Sequence, residues 1–156
     1  MKKLTLFRHA KTERDSTTGR DFDRRLAERG KRDAPRMGDE IRKLGLSYDL
    51  VLSSPAARAA ETAALAGLDP RFDQRLYDAS AGELLAMVQQ SEDSLKALML
   101  VGHNPGFERL ASRLIGQQLD MPTGSLVEIQ LPIDNWRDAA DGSGRLARFL
   151  KPKELD

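Results

Sequence analysis

The chain contains no cysteine among its 156 residues. Disulfide bonds, thiolate zinc sites and cysteine nucleophiles are therefore excluded. Positive charge is not in excess either, because 25 Lys and Arg residues balance 24 Asp and Glu residues to a net charge of +1. Without a broad basic field the sequence does not predict nucleic-acid binding, and any recognition of anions has to come from a local cluster of side chains.

Long apolar runs are also missing. No segment approaches the roughly 20 apolar residues of a transmembrane helix. Only four residues separate the basic start Met1-Lys2-Lys3 from Arg8, which is too few for the apolar core of a signal peptide. We therefore expect a cytoplasmic protein that does not associate with membranes. The length predicts a single domain over residues 1–156 with one core, and a monomer is the favoured oligomeric state.

Short apolar runs alternate with helical patterns along the chain. Residues 4–7, 49–53 and 98–101 are short, predominantly apolar stretches that favour buried parallel strands. Residues 127–131 alternate between apolar and polar, and residues 145–150 predict one more strand beside them. The pattern indicates an α/β protein: a three-layer α/β/α sandwich with a mostly parallel central sheet and an antiparallel pair at one edge.

Three residues carry local expectations. The apolar spacing of residues 34–44 predicts a helix, with Pro35 in its first turn where a missing N–H costs little. Ser54 is expected to cap the helix that follows the second strand. Trp136, the only tryptophan, is expected to pack locally, and an exposed indole there would contact a partner.

Polar side chains gather where the predicted strands end. The three ends carry, in chain order, Arg8, His9, Lys11 and Thr12; Ser53, Ser54 and Arg58; and Gly102, His103 and Asn104. The carboxyl ends of parallel strands meet at one rim of an open sheet, so these groups are expected to face a common point. His9 and His103 are the only histidines of the chain.

This set of residues suits a phosphoryl group. Arginine forks match phosphate oxygens in bidentate fashion, and a helix beginning near Pro105 adds free N–H groups. A neutral imidazole is a competent nucleophile at phosphorus. No G-x-x-x-x-G-K-[ST] loop occurs, and two histidines without clustered carboxylates are a poor set of metal ligands. The sequence therefore predicts histidine-based phosphoryl transfer that needs no metal and no other cofactor.

Three motifs in the same order resemble the histidine phosphatase (phosphoglycerate mutase-like) superfamily. Arg8-His9-Ala10 resembles its Arg-His-Gly signature, although alanine stands where the family commonly has glycine. Residues 54–62, SPAARAAET, are similar to its S-x-x-x-R-A-x-x-T element, and Gly102-His103-Asn104-Pro105 is similar to its second-histidine motif. Residues 25–30, RLAERG, and the lack of a long insertion resemble the small SixA-type phosphohistidine phosphatase branch.

The resemblance implies roles for individual residues. His9 would be the nucleophile that becomes phosphorylated, while Arg8, Arg58 and His103 would bind the phosphoryl oxygens. Leu76-Tyr77-Asp78 is the nearest match to the family's L-x-E pattern, which makes Asp78 the candidate general acid.

Other residues around the predicted site are weaker candidates. Lys11 and Asn104 are candidate substrate-binding residues, and Asn104 is also expected to cap the following helix. Asp21, Asp23, Arg24 and Arg25 are expected to form a solvated loop at the rim of the site.

Three functions remain open from the sequence. The preferred one is hydrolysis of a phosphohistidine on a signalling or phosphorelay protein, because a leaving imidazole with a pKa near ~6.5 needs little help from an acid. An uncapped, shallow rim would also admit a folded phosphoprotein. The alternatives are a phosphatase of small phosphate esters with the same residues, and a non-catalytic module that docks phosphoproteins.

Overall fold

The computed structural model describes residues 1–155, within which six strands and four α-helices are found. In chain order they are β1 (Lys2–Arg8), α1 (Glu28–Lys43), β2 (Leu50–Ser53), α2 (Ala57–Leu65), β3 (Arg71–Phe72), α3 (Ala81–Gln89), β4 (Ala97–Gly102), α4 (Gly106–Ile115), β5 (Leu126–Leu131) and β6 (Arg145–Leu150). None of the helices in this described part has the length and hydropathy that crossing a membrane requires.

All six strands belong to one sheet with the order β3-β2-β4-β1-β5-β6. The pairs β3–β2, β2–β4 and β4–β1 are parallel, whereas β5 runs antiparallel to both β1 and β6. The predicted fold class, including its antiparallel edge, is confirmed. This order places the carboxyl ends of β2, β4 and β1 side by side, with β4 in the middle.

The two faces of the sheet are covered by different pairs of helices. Successive side chains of a strand point to opposite faces. Leu4 and Leu6 of β1 accordingly join the core formed with α3 and α4, whereas Phe7 joins the core formed with α1 and α2. The same alternation divides Leu98 from Met99 on β4. The sheet and the two pairs of helices therefore form three layers.

Helix α1 begins earlier than the apolar pattern suggested. It starts at Glu28, so Pro35 lies in the helix interior and the expectation of a first-turn proline was wrong. Interior proline removes one helical hydrogen bond. The helix continues through this position because Ala34, Met37 and Ile41 are buried, and their packing offsets the local cost.

Trp136 lies in the segment that connects β5 to β6. Its side chain is completely buried, which confirms the expectation of local packing. Its indole N–H donates to the carbonyl of Leu95 at 2.8 Å. The alternative, an exposed indole that contacts a partner, is therefore excluded.

Candidate active site

His9 follows directly after β1 and is fixed through its backbone on two sides. Its N–H donates to the carbonyl of Gly102 at 3.0 Å, and its carbonyl accepts from the N–H of Gly124 at 2.8 Å. The ring nitrogen Nδ1 lies 2.8 Å from the carbonyl oxygen of Ala10. A carbonyl oxygen can only accept, so Nδ1 carries the proton and Nε2 keeps its lone pair.

His103 follows β4 and lies beside His9, with ring centroids 5.3 Å apart. Its Nε2 lies 2.8 Å from the hydroxyl of Ser54. Its Nδ1 is buried and has no hydrogen-bond partner within residues 1–155. The two histidines of the chain therefore meet at the rim of the sheet, as their positions after neighbouring strands predict.

Both rings are neutral at physiological pH. Burial lowers the pKa of His9 to about 3, and the nearby positive charges of Arg8 and Arg58 act in the same direction. Burial likewise lowers the pKa of His103 to about 4, with a further contribution from Arg58. A neutral imidazole with a free lone pair can attack an electrophile, whereas an imidazolium cannot.

Arg8 is the last residue of β1 and is held by the segment that follows α4. Its guanidinium Nη1 donates to the carbonyl of Met121 at 2.8 Å, while its Nε is buried without a partner within the described residues. Burial lowers the pKa of Arg8, and the negative charge of Glu108 opposes that effect. The arginine stays charged, as arginine does in proteins.

Arg58 lies in the first turn of α2 and is paired with Asp21. Its Nη2 lies 3.0 Å from Oδ2 of Asp21, and its Nη1 donates to the backbone carbonyl of Asp21 at 2.8 Å. Tyr77 also donates its hydroxyl to this carboxylate at 2.7 Å. Partial burial acts to raise the pKa of Asp21, but hydrogen bonds from Tyr77, Arg24 and Arg58 outweigh it and lower the pKa to about 2.

Asp21 was predicted as part of a solvated loop at the rim of the site, but its pairing with Arg58 was not predicted. The carboxyl group is about half exposed, yet it occupies donors of an arginine that the sequence assigned to phosphate binding. Asp21 is 37 positions away from Arg58, and no local pattern in the loop indicates the pairing.

Helix α2 connects several parts of this region. The hydroxyl of Thr62 accepts from the N–H of Ala10 at 3.0 Å, and the carboxylate of Glu61 accepts from the N–H of Leu26 at 3.0 Å. One helix therefore carries Arg58 at the site, Glu61, which binds the backbone just before α1, and Thr62, which binds the backbone just after His9. Ser54 does not cap α2 as expected: the residue before the helix is Ala56, and the Ser54 hydroxyl reaches His103.

A small pocket of about 70 Å³ lies beside His103 and Arg58. It is lined by Asp21, Arg58, Tyr77, Asp78, Ala79, His103, Asn104 and Pro105. Pockets that hold drug-sized ligands have volumes of about 300–1,000 Å³, so this pocket suits a small polar group rather than a large organic ligand. Among residues 1–155, no three His, Asp or Glu side chains are grouped as metal ligands.

The remaining candidates differ in their surroundings. Asp78 lines the pocket and has a φ of +58°, a left-handed conformation that aspartate tolerates better than most residues. Asn104 also lines the pocket, but its amide donates to Glu108 and Met121, and its oxygen accepts from the Glu108 N–H as a helix cap does. The side chain of Lys11 is exposed, and its ammonium group forms no hydrogen bond or ion pair within the described residues.

Ala10 causes no backbone strain where the resembling family commonly has glycine. Among the described non-glycine residues only Asp78 has a positive φ. The methyl group of Ala10 is completely buried and packs with Leu26 and Ala34. Alanine therefore belongs to the packing of this chain and does not disturb the site.

Comparison with known proteins places this geometry in a family. The profile of the histidine phosphatase superfamily (branch 1) matches residues 4–120. An uncharacterized protein of Mycobacterium tuberculosis is 31% identical over 146 residues, which cover 85% of this chain and 92% of the relative.

Two solved structures share the fold over nearly their full length. One, from Agrobacterium tumefaciens, is assigned as a phosphohistidine phosphatase SixA; it is 29% identical, with a TM-score of 0.83 over 97% of this chain and 98% of that chain. The other, from Nakamurella multipartitia, carries the same assignment; it is 25% identical, with a TM-score of 0.84 over 97% and 96% of the two chains.

Proposed function

The chain belongs to the histidine phosphatase superfamily, and on that premise we propose that it removes phosphate from phosphohistidine on a signalling or phosphorelay protein of the cytoplasm. It is a hydrolytic phosphatase of the histidine phosphatase type. We take residues 1–156 as one catalytic domain. His9 is the nucleophile, and Arg8, Arg58 and His103 bind the phosphoryl group.

One observation carries the proposal: the neutral ring of His9 keeps the lone pair of Nε2, because Nδ1–H donates to the carbonyl of Ala10. Two arginines and a second neutral histidine surround it. Two of their buried nitrogen atoms, Arg8 Nε and His103 Nδ1, have no hydrogen-bond partner within residues 1–155. Such groups are favourable ligands for phosphoryl oxygens, since a buried unpaired donor costs about 1–3 kcal/mol.

The reaction has two displacements at phosphorus. In the first, Nε2 of His9 attacks in line, a P–N bond forms to His9, and the P–N bond of the substrate breaks. The departing imidazole takes the electron pair of that bond and a proton from solvent, while Nδ1–H of His9 stays hydrogen-bonded to the Ala10 carbonyl. In the second, water attacks phosphorus, its proton passes to solvent, and the P–N bond to His9 breaks to release inorganic phosphate. Positioning and charge stabilisation supply the catalysis in both steps.

The leaving group supports phosphohistidine over phosphate esters. An alkoxide has a conjugate acid near that of water, at ~15.7, and needs a well-placed proton donor, whereas imidazole at ~6.5 needs far less. Asp78 is the candidate donor for an alkoxide; it lies on the pocket wall and is exposed to solvent. Lys11, exposed near His9, would meet the partner surface, while Asn104 holds the pocket wall.

The test uses the wild-type chain and His9→Ala on two classes of substrate. A histidine-phosphorylated protein and a panel of sugar and nucleotide phosphates are offered separately, and released phosphate is measured. We expect hydrolysis of the phosphoprotein by the wild type, none by the variant, and acid-labile, alkali-stable phosphate on His9 after rapid quenching. Full activity of the variant refutes the mechanism, and faster turnover of esters refutes the substrate class. Tight binding of the phosphoprotein without turnover would indicate a docking module.

A further inference from the structure

We propose that Ser54 is a positioning residue that fixes His103 in one tautomer, with the ring proton on Nδ1. The hydroxyl of Ser54 and the imidazole of His103 are joined at 2.8 Å through Nε2. The benefit for phosphoryl binding rests on the proposed function, but the tautomer itself follows from the hydrogen bonds of the Ser54 hydroxyl.

The direction of this hydrogen bond follows from counting donors and acceptors. The Ser54 oxygen already accepts from the N–H of Ala56 at 3.2 Å. The hydroxyl proton then needs an acceptor. Within residues 1–155 the hydroxyl has two hydrogen-bond partners, the Ala56 N–H and Nε2 of His103, and only Nε2 can accept. The O–H therefore donates, Nε2 accepts, and the proton of the neutral ring resides on Nδ1.

The opposite tautomer leaves more groups unpaired. If Nε2–H donated to Ser54, the serine proton would have no acceptor although the side chain is completely buried, and the Nδ1 lone pair would be unpaired as well. In the proposed tautomer only Nδ1–H is unpaired. A buried hydroxyl without a partner disfavours a state by about tenfold or more.

Backbone contacts hold the two residues in this relation. The N–H of Ser54 donates to the carbonyl of Val101 at 2.9 Å, two positions before His103 on the neighbouring strand. The carbonyl of His103 accepts from the N–H of Phe107 at 3.1 Å in α4. Ser54 and His103 are thus anchored independently of the solvent-exposed loops.

The tautomer determines what a neutral His103 can do. With the proton on Nδ1 the ring offers a donor to a phosphoryl oxygen without adding another positive charge next to His9. Without Ser54 a share of the neutral rings would instead direct the Nδ1 lone pair at the negative oxygen. The low pKa of His103 makes this choice relevant, because the ring is neutral at physiological pH.

The tautomer can be measured directly because the chain has only two histidines. In the tag-free His9→Ala variant, His103 is the sole histidine, and ring ¹⁵N chemical shifts with their couplings to the ring protons identify the protonated nitrogen. We expect Nδ1 to be protonated and Nε2 to be unprotonated near pH 7. A ring protonated on Nε2 overturns the proposal. Adding Ser54→Ala to this variant should convert the ring to a mixture of tautomers.

The kinetic test compares Ser54→Ala with Ser53→Ala in the chain that retains His9. Both serines are completely buried, but the Ser53 hydroxyl donates to the Ser54 carbonyl at 3.0 Å and forms no hydrogen bond with His103. We expect kcat to fall about tenfold in Ser54→Ala, to be largely retained in Ser53→Ala, and to recover in Ser54→Thr. An unchanged kcat and tautomer in Ser54→Ala would refute the positioning role.

Two further outcomes separate this proposal from the proposed function. If Ser54→Ala does not fold, the tautomer of His103 in the His9→Ala variant decides the question without it. If Nδ1 is protonated but the wild type hydrolyses no phosphorylated substrate, the tautomer assignment stands and the phosphatase proposal fails.

Discussion

Replacing Gly30 with alanine tests whether α1 holds the segment after His9 by direct backbone contact. A Cβ atom at Gly30 would lie 2.2 Å from the carbonyl oxygen of Lys11, whereas real Cβ contacts essentially never fall below 3.0 Å. The same carbonyl accepts from the N–H of Ala27 at 2.9 Å. The helix and the Lys11 backbone therefore have to separate, and Lys11 is only two residues beyond His9.

The expected size of the effect follows from two opposing contributions. Overpacking against backbone costs about 1–3 kcal/mol, and the better helix propensity of alanine returns about 1 kcal/mol. A net loss of up to about 2 kcal/mol lowers Tm by up to about 8 °C in a chain of this size. A displacement of His9 by about 1 Å would also lower the rate of phosphohistidine hydrolysis by about 100-fold.

Gly38→Ala is the matched control for this experiment. A Cβ there would also lie 2.2 Å from a backbone carbonyl, that of Ala66, but at a distance from His9 along α1. Urea denaturation and hydrolysis rates should show similar losses of stability for the two variants and a loss of activity for Gly30→Ala alone. If Gly30→Ala retained the activity of Gly38→Ala, the contact would not be what positions His9.

Three further expectations follow. Asp21→Ala frees the guanidinium of Arg58, so inorganic phosphate should inhibit up to about fivefold more strongly; weaker inhibition would show that Asp21 does not compete for Arg58. The folded-state pKa of His9 is about 3, below the ordinary ~6.5, so the unfolded chain binds more protons between these values. The contribution of neutral His9 to the free energy of unfolding should be fully present above about pH 6.5 and should be lost as the pH falls towards about 3. Denaturation measured at each pH should show a less steep loss in His9→Asn. Trp136→Phe loses the hydrogen bond to Leu95 and should unfold about 1–2 kcal/mol more easily with unchanged kcat; a large loss of activity would contradict its remote position.

The strands and the meeting of the histidines could be predicted from the sequence for a physical reason. Buried parallel strands are continuous apolar runs, and the carboxyl ends of parallel strands share one rim. His9 and His103 each follow such a run, so their proximity needs no knowledge of the loops. The antiparallel edge could be predicted equally well, because residues 127–131 alternate with a period of two.

Features that depend on tertiary contacts could not be predicted in the same way. Pro35 was expected in a first turn because local rules disfavour it elsewhere, whereas the packing of α1 on the sheet outweighs that rule. Ser54 was expected as a cap, but its hydroxyl reaches a residue 49 positions away. Asp21 reaches Arg58 through an irregular loop, whose path no periodicity describes.

The pairing of β1 with β4 has a consequence for how this site varies among proteins. Arg8 pairs with Gly102 in register, so His9 and His103 are each the next residue on adjacent parallel strands. The separation of the rings, 5.3 Å, is close to the spacing of ~4.8 Å between neighbouring strands of any sheet. The distance between the two imidazoles is therefore set by backbone hydrogen bonds that every sequence can make. Loops and surface residues can diverge to the 29% identity seen with the Agrobacterium protein while the distance between the strand ends remains the same.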